Sequence, residues 1–524
     1  MTKKRRDGRV VECGGLENRC PAIAGPGVRT PLSPPSLAEV PIKRNEGEFF
    51  FSAATADTVL LPLFHTNGLY SEHPLSTFYH AGSVVCNSLL SSQINCTNIQ
   101  KAMRLKGRLI IMNFLQFFIW GSWLLTIGAY WFQNKNWSGT DFGAIFSTMG
   151  LASLFMPAIA GIIADRWVNA EKLYGIFHIG GAILLSMIPS INNPDLFFWA
   201  LLLTMMFYMP TLALAITVSY SSMKNSGMDI IKDYPPVRVW GTIGFIVALW
   251  VVSLLGFETS PMQFYVAAVS SLLLGLYAFT LPKCPPLGRG HKKKLTEELG
   301  LNAFRLFKST KMALFFIFAM LLGGALQLTN AYGDTFLHDF AGIPEYKDLI
   351  AVRYPAIIMS VSQISETLFI LTIPFFLKRF GIKKVMLMSM VAWILRFGLF
   401  GVGNPAEGLW MIILSCIIYG MAFDFFNISG SLFVETQCTP DIRASAQGLF
   451  MMMTNGFGAF LGSRISGIVI DKYFTLASGE FDWMGIWFSF AGYALVVAVL
   501  FVLLFRHKHL KEASGDETSA AQPG

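Results

Sequence analysis

Two carboxylic acids stand where an apolar chain has no use for them. Asp424 lies in YGMAFDFFNISGS (419–431) and Glu366 in SQISETLFILTIPFF (362–376), both inside long apolar runs. An acid at the centre of a membrane helix costs roughly 2.5–3.5 kcal/mol, so one kept there is read first as functional. Spacing gives each acid polar company. Tyr419, Phe423 and Asn427 follow one another at steps of four, with Asp424 three short of Asn427, so all four lie on or beside one helical stripe. Gln363 and Glu366 are three apart, and so are Gln327 and Asn330. Arg238, Thr242 and Phe245, at i, i+4 and i+7, give a further helix a cation, a hydroxyl and a ring on one face.

Amides, hydroxyls and carboxylates facing an apolar interior suit the binding of a small polar solute. Burial favours the neutral form of an acid, which makes a carboxylate a natural proton carrier, while sodium coupling stays open on this chemistry. One proton moving down 100 mV releases roughly 2.3 kcal/mol; at 1.36 kcal/mol per factor of ten, that supports about fiftyfold accumulation. The plain alternative is helix-to-helix glue, since intramembrane hydrogen bonds contribute about 1–2 kcal/mol, but two carboxylates exceed what packing needs. Individually, Thr242 has the option of bonding its own backbone, Tyr419 of serving as core, and Arg238, near Pro235 and Pro236, of being a helix-end charge. Arg396, Arg464 and His178 also fall in apolar segments. They lack polar neighbours at helical spacing and are read as structural.

The elements that carry these residues are membrane helices. The chain has 524 residues, 53% hydrophobic and 14% charged, with a mean hydropathy of +0.52, whereas about a quarter of a soluble domain is charged. The net charge of +8 is spread over short connections instead of forming one face, which argues against nucleic acid. Of the cysteines, Cys13, Cys20, Cys86 and Cys96 precede residue 102, and Cys284, Cys416 and Cys438 are scattered. That pattern gives no disulfide framework and no metal-ligand spacing, and no cofactor is expected.

Twelve segments are long enough to cross about 30 Å of hydrocarbon. They begin near Leu109, Phe142, Leu173, Leu196, Val237, Met262, Met312, Val352, Lys384, Leu409, Ala446 and Met484. Basic residues crowd alternate connections: Arg166 and Lys172, Lys224 and Lys232, Lys283 to Lys311, Lys378 to Lys383, and Arg443. The opposite set holds only Lys135, Lys347 and Lys472. By the positive-inside rule both termini are cytoplasmic. The basic connection 283–311 splits the chain into six-helix halves, 103–282 and 312–506, and its LGLNAFRLFKS part suits a short amphipathic helix on the membrane surface. The halves echo each other in charged hinges, GIIADRW (Gly161, Asp165, Arg166) and LKRFGIKK (Arg379, Gly381). Parallel six-helix repeats of this kind build the major facilitator fold, with the solute site between them. Residues 1–102 are mixed in charge and aperiodic and read as a disordered leader or an over-extended start, with Met103 as a natural beginning. Residues 507–524 read as a disordered cytoplasmic tail.

FLQFFIWGSWL (114–124), MDIIKDYPPVRVWGTIGF (228–245), SQISETLFILTIPFF, AWILRFGLF (392–400) and YGMAFDFFNISGS closely resemble the bacterial nucleoside:proton symporters of the major facilitator superfamily, from Met103 to about Lys508. The resemblance implies proton-coupled import of purine and pyrimidine nucleosides across the bacterial cytoplasmic membrane by a multi-pass carrier, and a monomer is expected. It also implies that Arg238, Thr242, Phe245, Gln327, Asn330, Gln363, Glu366, Tyr419, Phe423, Asp424 and Asn427 form the substrate site, with Asp424 or Glu366 carrying the proton. Amides and carboxylates suit ribose hydroxyls and base edges, and Phe245 and Phe423 suit stacking on a base. Two positions depart from the family pattern: Val168 replaces a hinge glycine, and Arg464 stands in GSRISG where a small or apolar residue is expected. A symporter of another polar solute, such as a sugar or nucleobase, is the nearer alternative. A membrane-embedded enzyme or receptor is the remote one, for want of a catalytic constellation or phosphate-binding loop.

Overall fold

The computed structural model describes residues 100–286 and 301–506, all within the unit Phe78–Gly524. The expected leader up to residue 99, the basic stretch 287–300 and the tail from 507 lie outside the described residues. Residues 100–102 already belong to the first helix.

Helix follows helix throughout. The helices are α1 (100–121), α2 (Gly139–Arg166), α3 (Ala170–Met187), α4 (Pro194–Asn225), α5 (Ile230–Leu254) and α6 (Met262–Ala278), then α7 (Thr310–Asp339), α8 (Pro355–Val402), α9 (Leu409–Gln437), α10 (Pro440–Met451), α11 (Ala459–Tyr473) and α12 (Trp483–Leu504). Among the described residues, eight helices are long and apolar enough to cross a membrane. The remaining expected segments take other forms. The first is α1, followed by a break, a short helix Ile127–Ala129 and a π-helical turn Tyr130–Asn134. The sixth is α6, at 17 residues. The segments expected from Val352 and Lys384 run together as the 48-residue α8. The eleventh is α10 and α11 joined by the π-helical stretch Met452–Gly458.

Local chemistry sets these boundaries. Ser138 caps α2 by accepting from Asp141 N at 3.1 Å, and Asn193 caps α4 with Pro194 at the first helical position, where its missing N–H costs nothing. Asp482 Oδ1 accepts from Gly485 N at 3.0 Å to start α12. Gly381, at φ 75° and ψ 166°, turns α8 through its middle. A side chain in that left-handed region is costly, and glycine is not. The kink falls at one residue of the LKRFGIKK stretch. The LNAFRLFK turn, Leu301–Lys308, is a 3₁₀ helix whose Phe307 packs on Phe316 of α7, ring centroids 5.4 Å apart.

In the first group of helices α2 packs on α4, and α3 on α4 and α6; in the second, α8 packs on α9 and α12, and α7 on α11 and α12. The groups meet along α2 with α11 and α5 with α8. At the α2–α11 seam the backbones touch: a Cβ added at Gly143 would lie 3.0 Å from Gly467 Cα and closer still to Ser463 O. Asp471 on α11 then caps the start of α2, Oδ1 accepting from Gly139 N at 2.7 Å and Oδ2 from Thr140 N at 2.5 Å. Along the other seam Trp250 Nε1 donates to Ser360 Oγ at 3.0 Å.

Candidate functional site

Four helices carry the polar residues that the spacing singles out. Gly420 lets α9 lie directly on α8, since a Cβ there would be 2.6 Å from Ser365 O, and Ser365 Oγ donates to Ile417 O across the same contact. This backbone approach brings Asp424 and Glu366 within electrostatic reach of each other. Glu366 lies equally within reach of Arg238 on α5. A cation from the first group of helices therefore faces Glu366 of the second, and Glu366 in turn lies near Asp424.

Tyr419 is 4% exposed and tightly held. Its ring stacks on Phe423 at 5.8 Å with a 2° interplanar angle, and its hydroxyl lies near the Gln363 side chain. The Arg396 guanidinium sits 4.6 Å from the centre of the Tyr419 ring. Asn427 turns back, its Nδ2 donating to Phe423 O at 3.1 Å. Phe423 and Asn427 line a cavity with Leu322, Gly323 and Leu326 of α7, Trp393 of α8, and Thr454 and Asn455 of the π-helical stretch. Gln327 is buried on the α7 wall. Arg238 is half-buried, its guanidinium 4.0 Å over the Phe117 ring of α1 and within reach of Tyr208. Trp120 continues this wall, 5.6 Å from Tyr208. Thr242 and Asn330 are half-buried and Phe245 buried; among the described residues neither Thr242 nor Asn330 makes a side-chain hydrogen bond, so Thr242 does not bond its own backbone.

Three buried polar atoms of these walls have no hydrogen-bond partner among the described residues: Trp120 Nε1, Gln327 Oε1 and Asp424 Oδ2. Buried polar groups are almost always paired. An unpaired donor and two unpaired acceptors therefore mark where a polar solute has bonds to gain. Elsewhere, Glu258, Asp334 and His338 bring ligand-type atoms within 4.8 Å of one another, at the seam between the two groups.

Several of these residues escape a reading by spacing. Phe117, Trp120, Tyr208 and Trp393 look like ordinary membrane aromatics. Arg396 finds its partners far along the chain, donating from Nη1 to Ser415 O at 2.8 Å and to Ser362 Oγ at 3.4 Å across the kink of α8, so no local periodicity marks it. His178 is likewise paired across helices, Nε2 with Gln116 Oε1 at 2.9 Å and Nδ1 with Ser271 Oγ at 3.2 Å. Both are built into the framework. Arg464 is exposed. Of the hinge residues, Asp165 and Arg166 end α2, Gly381 makes the kink in α8, Arg379 lies 5.8 Å from the Phe380 ring and Gly161 has open space around it.

The family model described as "Nucleoside H+ symporter" matches residues 103–510. The chain belongs to the nucleoside H+ symporter family. It is 52% identical over 417 residues to nucleoside permease NupG of Escherichia coli (strain K12), spanning 79% of this chain and 99% of that protein. It is 53% identical over 409 residues to xanthosine permease of the same organism, spanning 78% and 96%. Crystal structures of nucleoside transporter NupG match with TM-scores of 0.75, for an aspartate-to-alanine mutant, and 0.73, covering 77% of this chain and all of theirs. A POT family transporter at 14% identity and TM-score 0.57 shares the fold alone. The chain is thus a helical, multi-pass membrane transporter of the major facilitator kind.

Proposed function

We propose that this protein is a proton-coupled nucleoside importer that exposes one central site alternately to the two sides of the bacterial cytoplasmic membrane. The observation that carries the reading is the Arg238–Glu366–Asp424 arrangement: opposite charges from two groups of helices meet in an apolar interior, and Asp424 Oδ2 has no hydrogen-bond partner among the described residues. Family membership supplies the solute and the ion. In this reading Gln327, Asn330, Gln363 and Asn427 pair with ribose hydroxyls and base edges. Phe245 and Phe423 flank the base, Tyr419 and Thr242 add hydroxyls, and a proton on Asp424 or Glu366 governs how tightly the face holds its solute. The alternative of a purely structural polar cluster accounts poorly for acceptors left unpaired, because an unmet buried acceptor costs about 1–3 kcal/mol.

The twelve-span arrangement with cytoplasmic termini, the 103–282 and 312–506 halves, and a monomeric carrier in a lipid bilayer remain part of this proposal, supported by the basic connections and the π-broken and kinked helices that account for the expected segments. With that orientation, the contacts from Gly139 to Asp471 and from Trp250 to Ser360 lie at the outer side, as in a carrier closed to the outside.

Labelled uridine uptake into cells lacking their own nucleoside carriers tests the function. Uptake competed by other nucleosides, weakly by ribose or uracil, and collapsed by a protonophore is expected. Competition by a sugar or nucleobase instead of nucleosides overturns the substrate class.

A further inference from the structure

Beyond the central site, one cluster of titratable groups spans the seam between the two groups of helices. Glu258 belongs to the connection between α5 and α6, and Asp334 and His338 stand one turn apart near the end of α7. Glu258 is 3% exposed and Asp334 1%. His338 Nε2 lies 2.6 Å from Glu258 Oε2 and 3.7 Å from Asp334 Oδ2. The other Glu258 oxygen accepts from Ala356 N at 3.2 Å, in the first turn of α8, while Gln263 Nε2 holds the Glu258 carbonyl at 2.7 Å. Glu258 thus docks one group of helices onto two helices of the other. Neither oxygen of Asp334 accepts a hydrogen bond from a described residue.

A metal ion fits this trio poorly. Ligand atoms 2.6 Å apart, each at ~2.1 Å from an ion, subtend about 76°, far below the ~109° of a tetrahedral site. Nε2 of His338 and Oε2 of Glu258 meet at ion-pair distance but off the line of a hydrogen bond, and a proton on either group relieves the repulsion of two lone pairs.

The charge count gives that proton a role. With neutral imidazole and two ionised carboxylates the closed trio carries −2; one shared proton leaves −1 and a second leaves 0. Burying uncompensated charge is expensive, so bringing Glu258 against Asp334 and His338 favours the more protonated forms. The neighbouring charges do not relieve this. Asp339, which accepts from Trp483 Nε1 at 2.7 Å, and Glu480 beyond it are both acidic. From the first group Gln133 reaches Asp339 and is neutral. Arg353, three residues before Ala356, is exposed and lies 5.5 Å from the Tyr354 ring.

We propose that Glu258, Asp334 and His338 form a second proton-binding site, distinct from Asp424 and Glu366, whose protonation closes this end of the cavity. The proposal rests on the reading of the chain as a proton-coupled carrier with this end facing outward. Proton uptake from outside then favours closure of the outer side and, with it, release inward.

The reporter is Thr335→Cys, at a buried position where a Cβ on Gly128 of the first group would strike the threonine hydroxyl. A membrane-impermeant maleimide is applied from outside to cells making the full chain, and labelling of the chain without the added cysteine is subtracted. Where Thr335→Cys fails to reach the membrane, Ser463→Cys serves at the other seam. No nucleoside is present, so failure here is separate from failure of the nucleoside reading, which the uridine and protonophore experiment detects. Rates are divided by those of Ser478→Cys, at an exposed position in the connection between α11 and α12, measured at the same pH, because the thiolate is the reacting form and its fraction itself falls about tenfold per pH unit. On that ratio, between about pH 8 and about pH 5.5, labelling slows by up to about tenfold per pH unit for a one-proton linkage. Glu258→Gln and Asp334→Asn remove a negative charge and label slowly at both values. His338→Gln removes the cation and labels fast until more acid is present. These opposite signs set a proton site apart from a packing contact. Labelling indifferent to pH in the otherwise native chain, or all three substitutions speeding labelling alike at every pH, overturns the proposal.

Discussion

Replacing Gly143 by alanine puts one methyl group into the seam between α2 and α11. The new Cβ would lie 3.0 Å from Gly467 Cα and closer to Ser463 O, and both obstacles are backbone, so no side chain can swing aside. Overpacking a tight contact costs typically 1–3 kcal/mol. If that cost falls only on the state in which these helices touch, the equilibrium shifts away from closure by about 5- to 160-fold, at 1.36 kcal/mol per factor of ten. The helix itself is not weakened, because alanine is favoured over glycine in a helix interior by roughly 0.5–1 kcal/mol. The expected phenotype is a normally inserted protein whose initial nucleoside uptake falls by a comparable factor. Gly398→Ala on α8, with nothing within 4 Å of its added Cβ, serves as control and keeps the native rate. Membrane levels by immunoblot and uptake at substrate below saturation are the measurements. Native uptake by Gly143→Ala at native levels refutes the claim that the carrier passes through this closed seam.

The aromatic and cationic support of the site makes further predictions. Arg396→Leu removes the cation 4.6 Å from the Tyr419 ring and its bond to Ser415 O; cation–π contacts contribute about 0.5–2 kcal/mol, so among molecules that reach the membrane the half-saturating nucleoside concentration rises about 2- to 30-fold. Phe423→Ala deletes one member of the stacked Tyr419–Phe423 pair, and at about 0.5–1.5 kcal/mol for an aromatic pair affinity falls at least about 2- to 13-fold, read by uptake competition. Gly381→Ala places a side chain at φ 75°, costing about 1–2 kcal/mol; it lowers the thermal midpoint of the purified protein, while Gly398→Ala does not.

How far the sequence anticipates this arrangement depends on where each partner sits in the chain. Tyr419, Phe423, Asp424 and Asn427 declare themselves because neighbours on a helix face are three or four residues apart, and a polar stripe in an apolar run has to face something other than lipid. Their placement against Glu366 is another matter. It depends on Gly420 letting α9 lie on α8, a contact between backbones that no side-chain pattern encodes. The trio of Glu258, Asp334 and His338 stays hidden for the same reason: Glu258 lies in the GFETSP connection, about eighty residues before its partners. Only the i, i+4 pair on α7 is visible along the chain. The expected starts near Phe142, Leu196 and Met484 fall just inside helices that begin at Gly139, Pro194 and Trp483, while the caps Ser138, Asn193 and Asp482 are not singled out by hydropathy. The fused α8 and the π-helical stretch are not legible, because both depend on how one turn packs against another helix.

The most direct test of the central claim is the steady accumulation of a labelled nucleoside in cells lacking their own carriers. It is read with and without a protonophore for the intact chain, Glu366→Gln and Asp424→Asn. With one proton per solute the intact chain accumulates up to about fiftyfold per 100 mV, the protonophore brings the ratio to about one, and at least one substitution leaves nucleoside equilibrating without accumulating. Accumulation indifferent to the protonophore contradicts proton coupling, and full accumulation by both substituted chains contradicts the placing of the proton on Asp424 or Glu366.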